Sequence, residues 1–147
     1  ALITAARPMA ADTPTPTFAK DVAPIFNRSC VNCHRPGQIA PMSLLSYETA
    51  RPWVRAIKDR VVRREMPPWH VDETVGISEY KDDPSLSDAE IQTIVRWADG
   101  GAPLGNPADL PKAPTFAADD EWSIGKPDLV VSAPKYTVKA NMADWFG

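Results

Sequence analysis

Apolar side chains first recur at helical spacing just after a proline-rich start. Phe18, Val22 and Phe26 stand four residues apart, so they lie on one face if the backbone is helical. The pattern predicts a short helix over about residues 22–30, with Asp21 as its N-cap and a proline tolerated in its first turn.

A longer helix is predicted over residues 52–65. Pro52 suits the first helical position, where its missing N–H is not needed. Trp53, Ile57 and Val61 recur every four residues and define the stripe that we expect to be buried.

The best-defined helix follows Ser87, which forms a capping box with Glu90 and precedes an apolar face ending at two glycines. The residues of that face are Ile91, Ile94, Val95 and Ala98. Ser46 is expected to cap a further short helical turn through Ala50. The predicted fold class is therefore mainly α, with three to four helices.

The remaining sequence suggests a domain organisation. Residues 1–17 are interpreted as a leader or signal remnant, 18–104 as one helical domain, and 105–147 as a proline-rich extended arm. In the arm, two candidate strands at 129–132 and 136–139 could form a hairpin or pair with a partner. We favour the interpretation that the arm links this domain to a further domain or subunit.

Composition narrows the classes of function. The 147-residue chain has 16 prolines against 7 glycines, which predicts many fixed bends and few flexible joints. Its net charge of -3 makes nucleic acid an unexpected partner. No apolar run approaches the roughly 18 residues that a membrane span needs.

The strongest chemical signal is the pentapeptide Cys30-Val31-Asn32-Cys33-His34. Two cysteines separated by two residues and followed by histidine are the attachment signature of a c-type haem. The two thiols can add across two vinyl groups on one porphyrin edge, which carries His34 beneath the iron as its proximal ligand. The chain has 2 cysteines, so we predict one covalent haem c.

Two other kinds of site share the C-x-x-C spacing. A thioredoxin-like redox pair belongs in a βαβ pattern, which the surrounding sequence lacks. A zinc site would need Cys30, Cys33, His34 and His70, and the adjacent Cys33 and His34 are awkward ligands for one tetrahedral ion. The haem interpretation is preferred to both.

The second iron ligand is predicted from the segment Met66-Pro67-Pro68-Trp69-His70. Its prolines end the preceding helix and restrict the chain, so that Met66 is presented with little conformational freedom. A weak thioether–iron bond needs that preorganisation. Met66 is the favoured metal ligand, with His70 and Met42 as the alternatives.

Further side chains are expected to contact the haem. They are Ile39 and Pro41 from the irregular stretch after the motif, Trp53 and Ile57 from the predicted middle helix, and Pro67 and Trp69 beside Met66. Trp97 is expected to pack either on the first helix or on the haem edge.

A basic cluster occupies the middle helix. Its members are Arg51, Arg55, Lys58, Arg60, Arg63 and Arg64. The preferred interpretation is a solvated face, partly offset by Glu48, Asp59 and Glu65. The alternatives are a docking face for an acidic redox partner, or pairing with the haem propionates.

The order of these pieces resembles the class I cytochromes c over roughly residues 18–104. More narrowly, residues 39–45 and 66–69 are similar to a bacterial monohaem domain often fused to copper-dependent, ascorbate-type monooxygenase-like domains. Residues 124–131 resemble the connection to that second domain. No histidines suited to a copper site are present, so the monooxygenase activity is not carried over.

The resemblance implies one-electron transfer with His34 and Met66 as axial ligands, rather than catalysis. It also implies export to the outer side of a bacterial inner membrane, and an unidentified redox partner protein. A proline carbonyl, from Pro36 or Pro41, is expected to accept the N–H of His34. Two alternatives stay open: a domain that receives electrons for a larger oxidoreductase, and a haem sensor or peroxidase-like protein with a displaceable sixth ligand.

Overall fold

The computed structural model describes residues 14–69, 71, 75–76, 80–116, 122, 125–135, 137 and 140. The chain divides into two compact units, Ala1–Pro114 and Thr115–Gly147. Helices are the regular elements of the described residues, which confirms a mainly α chain. Residues 129–132, the first candidate strand, are irregular in the described structure. Most of the second candidate, 136–139, lies outside the described residues.

The first helical segment begins earlier than predicted. A π-helical turn, Phe18–Val22, precedes helix α1, Ala23–Ser29, whose first turn accommodates a proline. The cap is Thr17, whose hydroxyl accepts a hydrogen bond from the Lys20 amide. Asp21 lies inside the turn and accepts from the Thr17 backbone N–H at 2.7 Å. The prediction of Asp21 as N-cap is therefore wrong, because the helical segment starts earlier and Thr17 caps it.

The middle helix is shorter than predicted. Ser46 caps helix α2, Tyr47–Ala50, as expected. A 3₁₀ turn, Arg51–Trp53, then leads into helix α3, Val54–Val62. The predicted continuous helix over 52–65 is therefore wrong at both ends.

The change of helix type also changes the buried stripe. Val54, Ile57 and Val61 are buried, whereas the Trp53 side chain is 44% exposed. A 3₁₀ turn has about three residues per turn instead of 3.6, so Trp53 is rotated away from the face that α3 continues. The expectation that Trp53 belongs to the stripe is corrected in favour of Val54.

Helix α4, Asp88–Asp99, has the predicted capping box between Ser87 and Glu90. Ile91 and Ile94 are buried as expected. Val95 and Ala98 are half-buried at the margin of the face. The centre of the face also includes Trp97, which is completely buried.

Four aromatic side chains, Phe18, Phe26, Tyr47 and Trp97, pack together in the core. Phe18 lies against Tyr47 at 5.5 Å and against Trp97 at 5.9 Å between ring centroids. Phe26 approaches Trp97 edge-on at 6.3 Å. The indole N–H of Trp97 donates to the Pro103 carbonyl at 3.1 Å. Trp97 therefore packs on the first helical segment, which was one of its two predicted positions.

The first compact unit is closed by contacts between its two ends. The backbone N–H groups of Phe18 and Ala19 donate to the carbonyls of Pro103 and Leu104, each at 2.9 Å. A 3₁₀ turn at Pro107–Asp109 follows. No helix in the described part of the chain is long and apolar enough to cross a membrane.

Candidate functional site

The C-x-x-C-H motif, Cys30 to His34, forms tight turns directly after α1. The Cys33 and His34 backbone N–H groups both donate to the Cys30 carbonyl, at 3.2 and 2.9 Å. Val31 between them is completely buried and anchors the turn. The two thiols are free, and Cys33 is exposed at the surface. The motif is therefore a preformed loop in which the Cys33 side chain is exposed and the Cys30 thiol is buried.

The imidazole of His34 is oriented by the following loop. Its Nδ1 lies 3.2 Å from the Met42 carbonyl oxygen. A carbonyl can only accept, so this contact favours the tautomer with the proton on Nδ1, in which Nε2 keeps its lone pair for a metal. The carbonyl belongs to Met42, so the expectation of Pro36 or Pro41 is wrong. The loop returns through a Leu44 N–H bond to the His34 carbonyl at 2.9 Å, which places Met42 opposite the ring.

The Cys30 thiol lies in a different environment from Cys33. Burial raises the pKa of Cys30 from 9.0 to about 12, while the nearby Arg28 charge acts in the opposite direction. The charges of Cys33 and Glu90 add to the increase. Cys30 therefore carries a neutral thiol across the physiological range.

Met66 lies beside a cavity of about 260 Å³. Its lining consists of Val61, Arg64, Met66, Pro67, Trp69, Val71, Ser85, Leu86 and Ile91. The Met66 side chain is 39% exposed. The segment after α3 and the start of α4 thus form two walls of an open cavity that exposes both apolar and polar groups.

One polar atom of this region lacks a partner. The Trp69 ring packs edge-on against Tyr80 at 5.9 Å, and its Nε1 is buried without a hydrogen bond in the described structure. An unpaired buried donor costs on the order of 1–3 kcal/mol. An acceptor atom from a bound group would remove that cost.

The structure brings some predicted site residues together and separates others. Met66, Pro67 and Trp69 line one cavity, whereas Cys30, Cys33 and His34 are not part of its lining. Ile57 is in the core, and Ile39 is 91% exposed. Pro41 is also exposed. Met42 orients His34 through its carbonyl, and His70 lies outside the described residues.

Arg28 connects the attachment motif to the cavity. It lies two residues before Cys30, and its guanidinium donates twice to the Ser85 carbonyl at 3.2 Å. It also forms an ion pair with Glu90 at 2.7 Å. Because Ser85 lines the Met66 cavity, the motif and the cavity are joined through the start of α4. Sequence reasoning missed Arg28, because its partners are about sixty residues away in the chain.

The basic cluster is mostly paired. Its ion pairs among the described residues are Lys58–Asp99, Arg60–Glu65, Arg63–Asp59, Arg63–Glu65 and Arg64–Asp88. Arg51 donates to the Gly101 carbonyl at 3.2 Å. This agrees with a solvated face offset by carboxylates. Asp88 and Asp99 are offsetting groups that the local sequence did not reveal.

These donors fit a covalently attached haem. The motif offers two free thiols and an oriented imidazole, and Met66 offers a thioether at a separate cavity that the motif does not line. In the described residues, no group of three or more His, Cys, Asp or Glu side chains could hold a metal ion.

Comparison of the chain with protein-family models, curated proteins and solved structures found no match.

Proposed function

We propose that this chain transfers single electrons by means of one covalently bound haem c. The observation that carries the proposal is the orientation of the His34 ring. His34 ends the Cys30-x-x-Cys33-His34 turn, and its Nδ1 contacts the Met42 carbonyl oxygen. That arrangement orients an imidazole for metal binding through Nε2. A thioredoxin-like pair would not require an oriented histidine.

The roles of the residues follow from their chemistry. Cys30 and Cys33 would hold the haem through thioether bonds, and His34 and Met66 would be the side chains that bind its iron. A haem held there would supply an iron that can alternate between two oxidation states. The Met42 carbonyl orients the His34 ring, and Leu86 and Ile91 form an apolar part of the cavity wall beside Met66.

The cellular setting of the proposal comes from the resemblance to class I cytochromes c. An exported, periplasmic location and a protein redox partner are part of the proposal. The similarity of residues 124–131 to a connecting segment extends it to a chain that receives electrons for a larger oxidoreductase. Sequencing the source gene beyond Gly147 distinguishes that arrangement from a free carrier.

The test is the absorption spectrum of the oxidised, haem-loaded protein. Sulfur ligation produces a weak charge-transfer band near the red end of the visible spectrum. We expect the wild type to show the band and Met66→Ala to lose it. Met42→Leu is the matched control, because it removes a thioether but keeps the carbonyl that holds His34. A band lost in Met42→Leu and retained in Met66→Ala would contradict the assignment.

A second candidate function is supported by the exposure of Met66. A ligand side chain that is 39% exposed can be displaced by a small molecule more readily than a buried one. This favours a haem sensor or peroxidase-like protein. Carbon monoxide binding to the reduced wild type would support that function, and the absence of binding supports the electron carrier.

A further inference from the structure

Arg64 has an unusual backbone conformation at the end of α3. Its φ is +54°, in the left-handed region that L side chains rarely adopt. Glycine or asparagine normally occupies this position after a helix. The turn is closed by the Arg64 N–H, which donates to the Val61 carbonyl at 3.1 Å. A side chain other than glycine is strained in this conformation, so the surrounding contacts must hold the turn in place.

The Arg64 side chain reaches across the Met66 cavity. Its guanidinium donates to the Leu86 carbonyl at 3.3 Å and pairs with Asp88, the first residue of α4. One wall of the cavity is the segment from Met66 to Trp69, and the other contains Leu86. Among the described lining residues, Arg64 is the one whose side chain bonds from the first wall to the second.

We propose that Arg64 is a positioning residue for Met66. Its left-handed backbone turns the chain away from the α3 axis two residues before Met66, and its guanidinium ties that turn to the start of α4. A glycine would provide the turn without the tie. The inference rests on the proposed function in so far as Met66 is the iron ligand.

The bonds from Arg64 to Leu86 and Asp88 stabilise the local segment rather than the whole fold. The Asp88 side chain is 91% exposed and Arg64 is 60% exposed, so water screens their attraction. Such pairs contribute little to global stability. Their loss should loosen the segment that carries Met66 while leaving the core around Trp97 intact.

The experiment compares Arg64→Gly with Arg63→Ala in the haem-loaded protein. Arg64→Gly keeps the backbone conformation favourable and removes the guanidinium. Arg63→Ala is the matched control, because Arg63 pairs with Asp59 and Glu65 and not across the cavity. Arg64→Lys tests rescue, since lysine keeps a charge for Asp88 but not the planar fork.

Three measurements are made on each protein: the sulfur-to-iron band, hydrogen exchange of the Trp69 amide, and the thermal unfolding midpoint. The Trp69 amide is suitable because it donates to the Pro67 carbonyl at 2.8 Å within the same segment. For Arg64→Gly we expect about half the band intensity or less and about tenfold faster Trp69 exchange, with no lower unfolding midpoint. Arg63→Ala should match the wild type, and Arg64→Lys should be intermediate.

The outcomes separate this inference from the proposed function. If the wild type shows the band, unchanged band intensity or unchanged Trp69 exchange in Arg64→Gly overturns the inference. If the wild type lacks the band, ligation by Met66 fails. Trp69 exchange alone then decides whether Arg64 holds the segment: faster exchange supports it and unchanged exchange overturns it.

Discussion

His34 shows what a single residue requires from its surroundings. The C-x-x-C-H spacing is local, so the sequence identifies His34 as the candidate ligand without any knowledge of the fold. The group that orients its ring lies eight residues further on, at the Met42 carbonyl. Backbone carbonyls carry no sequence signature. The carbonyl that contacts the His34 ring therefore depends on the path of the loop back to His34. The hydrogen bond from the Leu44 N–H to the His34 carbonyl fixes that path.

The buried Cys30 thiol predicts how the free energy of unfolding depends on pH in protein without haem. Burial raises its pKa from 9.0 to about 12, so the folded chain holds this proton more tightly than the unfolded chain does. The stabilisation is fully present below about pH 9 and is lost as the pH rises towards 12. Urea unfolding across that range should show a steeper loss of unfolding free energy for the wild type than for Cys30→Ala.

Cys33→Ser is the control for this pH dependence. Cys33 is exposed, so its replacement should leave most of the loss in place. Equal slopes for the wild type and Cys30→Ala would contradict a buried, neutral Cys30 thiol. In haem-loaded protein Cys30 is a thioether under our proposal, and the difference between the two slopes should vanish.

At the scale of elements, α4 was predictable and α3 was not. The capping box and apolar spacing of α4 are contained within a dozen consecutive residues. The start of α3 depends on a 3₁₀ turn whose Trp53 side chain faces outward. Periodicity every four residues did not distinguish Trp53 from Val54, because both fit an apolar stripe until the packing partners are known.

The Ser87 cap should be measurable in the stability of α4. The Ser87 hydroxyl accepts from the Glu90 N–H, and the Glu90 carboxylate accepts from the Ser87 N–H at 2.9 Å. Ser87→Ala should lower the free energy of unfolding by about 1 kcal/mol, measured with urea at neutral pH. Thr93→Ala is the control in the same helix and should change stability by less than about 0.5 kcal/mol. Equal losses would show that the cap is not specific.

The same capping box, Ser87 and Glu90, determines part of the decrease in unfolding free energy at acid pH. Burial acts against ionisation, but hydrogen bonds from Ser87 and Arg28 hold the pKa of the Glu90 carboxyl below its ordinary 4.5. The resulting stabilisation is present above that value and is lost as the pH falls through the folded-state pKa. In Ser87→Ala this acid-dependent loss should therefore be smaller than in the wild type.

For the whole molecule, the domain extends beyond the end of its last long helix. The structure places the boundary between the two units after Pro114, whereas composition suggested 104. Leu110 and Pro114 line a cavity of about 310 Å³ together with Phe18 of the aromatic core. Prolines in a sequence indicate an extended chain, but they do not indicate whether that chain packs on a core.

Truncation tests the position of this boundary. A chain ending at Pro114 should keep the thermal unfolding midpoint of the first unit, because the segment that covers Phe18 is retained. A chain ending at Leu104 should unfold at a temperature lower by roughly 5 °C or more, since about 1 kcal/mol corresponds to 4–8 °C in a domain of this size. Circular dichroism of both chains provides the measurement. Equal midpoints would place residues 105–114 outside the folded unit.

The sequence by itself determined the local features: the C-x-x-C-H spacing, the caps at Ser46 and Ser87, and the mainly helical class. These depend on residues within a few positions of one another, where spacing and chemistry suffice. Only the tertiary structure decided the carbonyl opposite His34, the link from Arg28 to Ser85, and the tie from Arg64 to Leu86. Each joins separated segments through a backbone oxygen, a group that every residue has and that no pattern of side chains reveals.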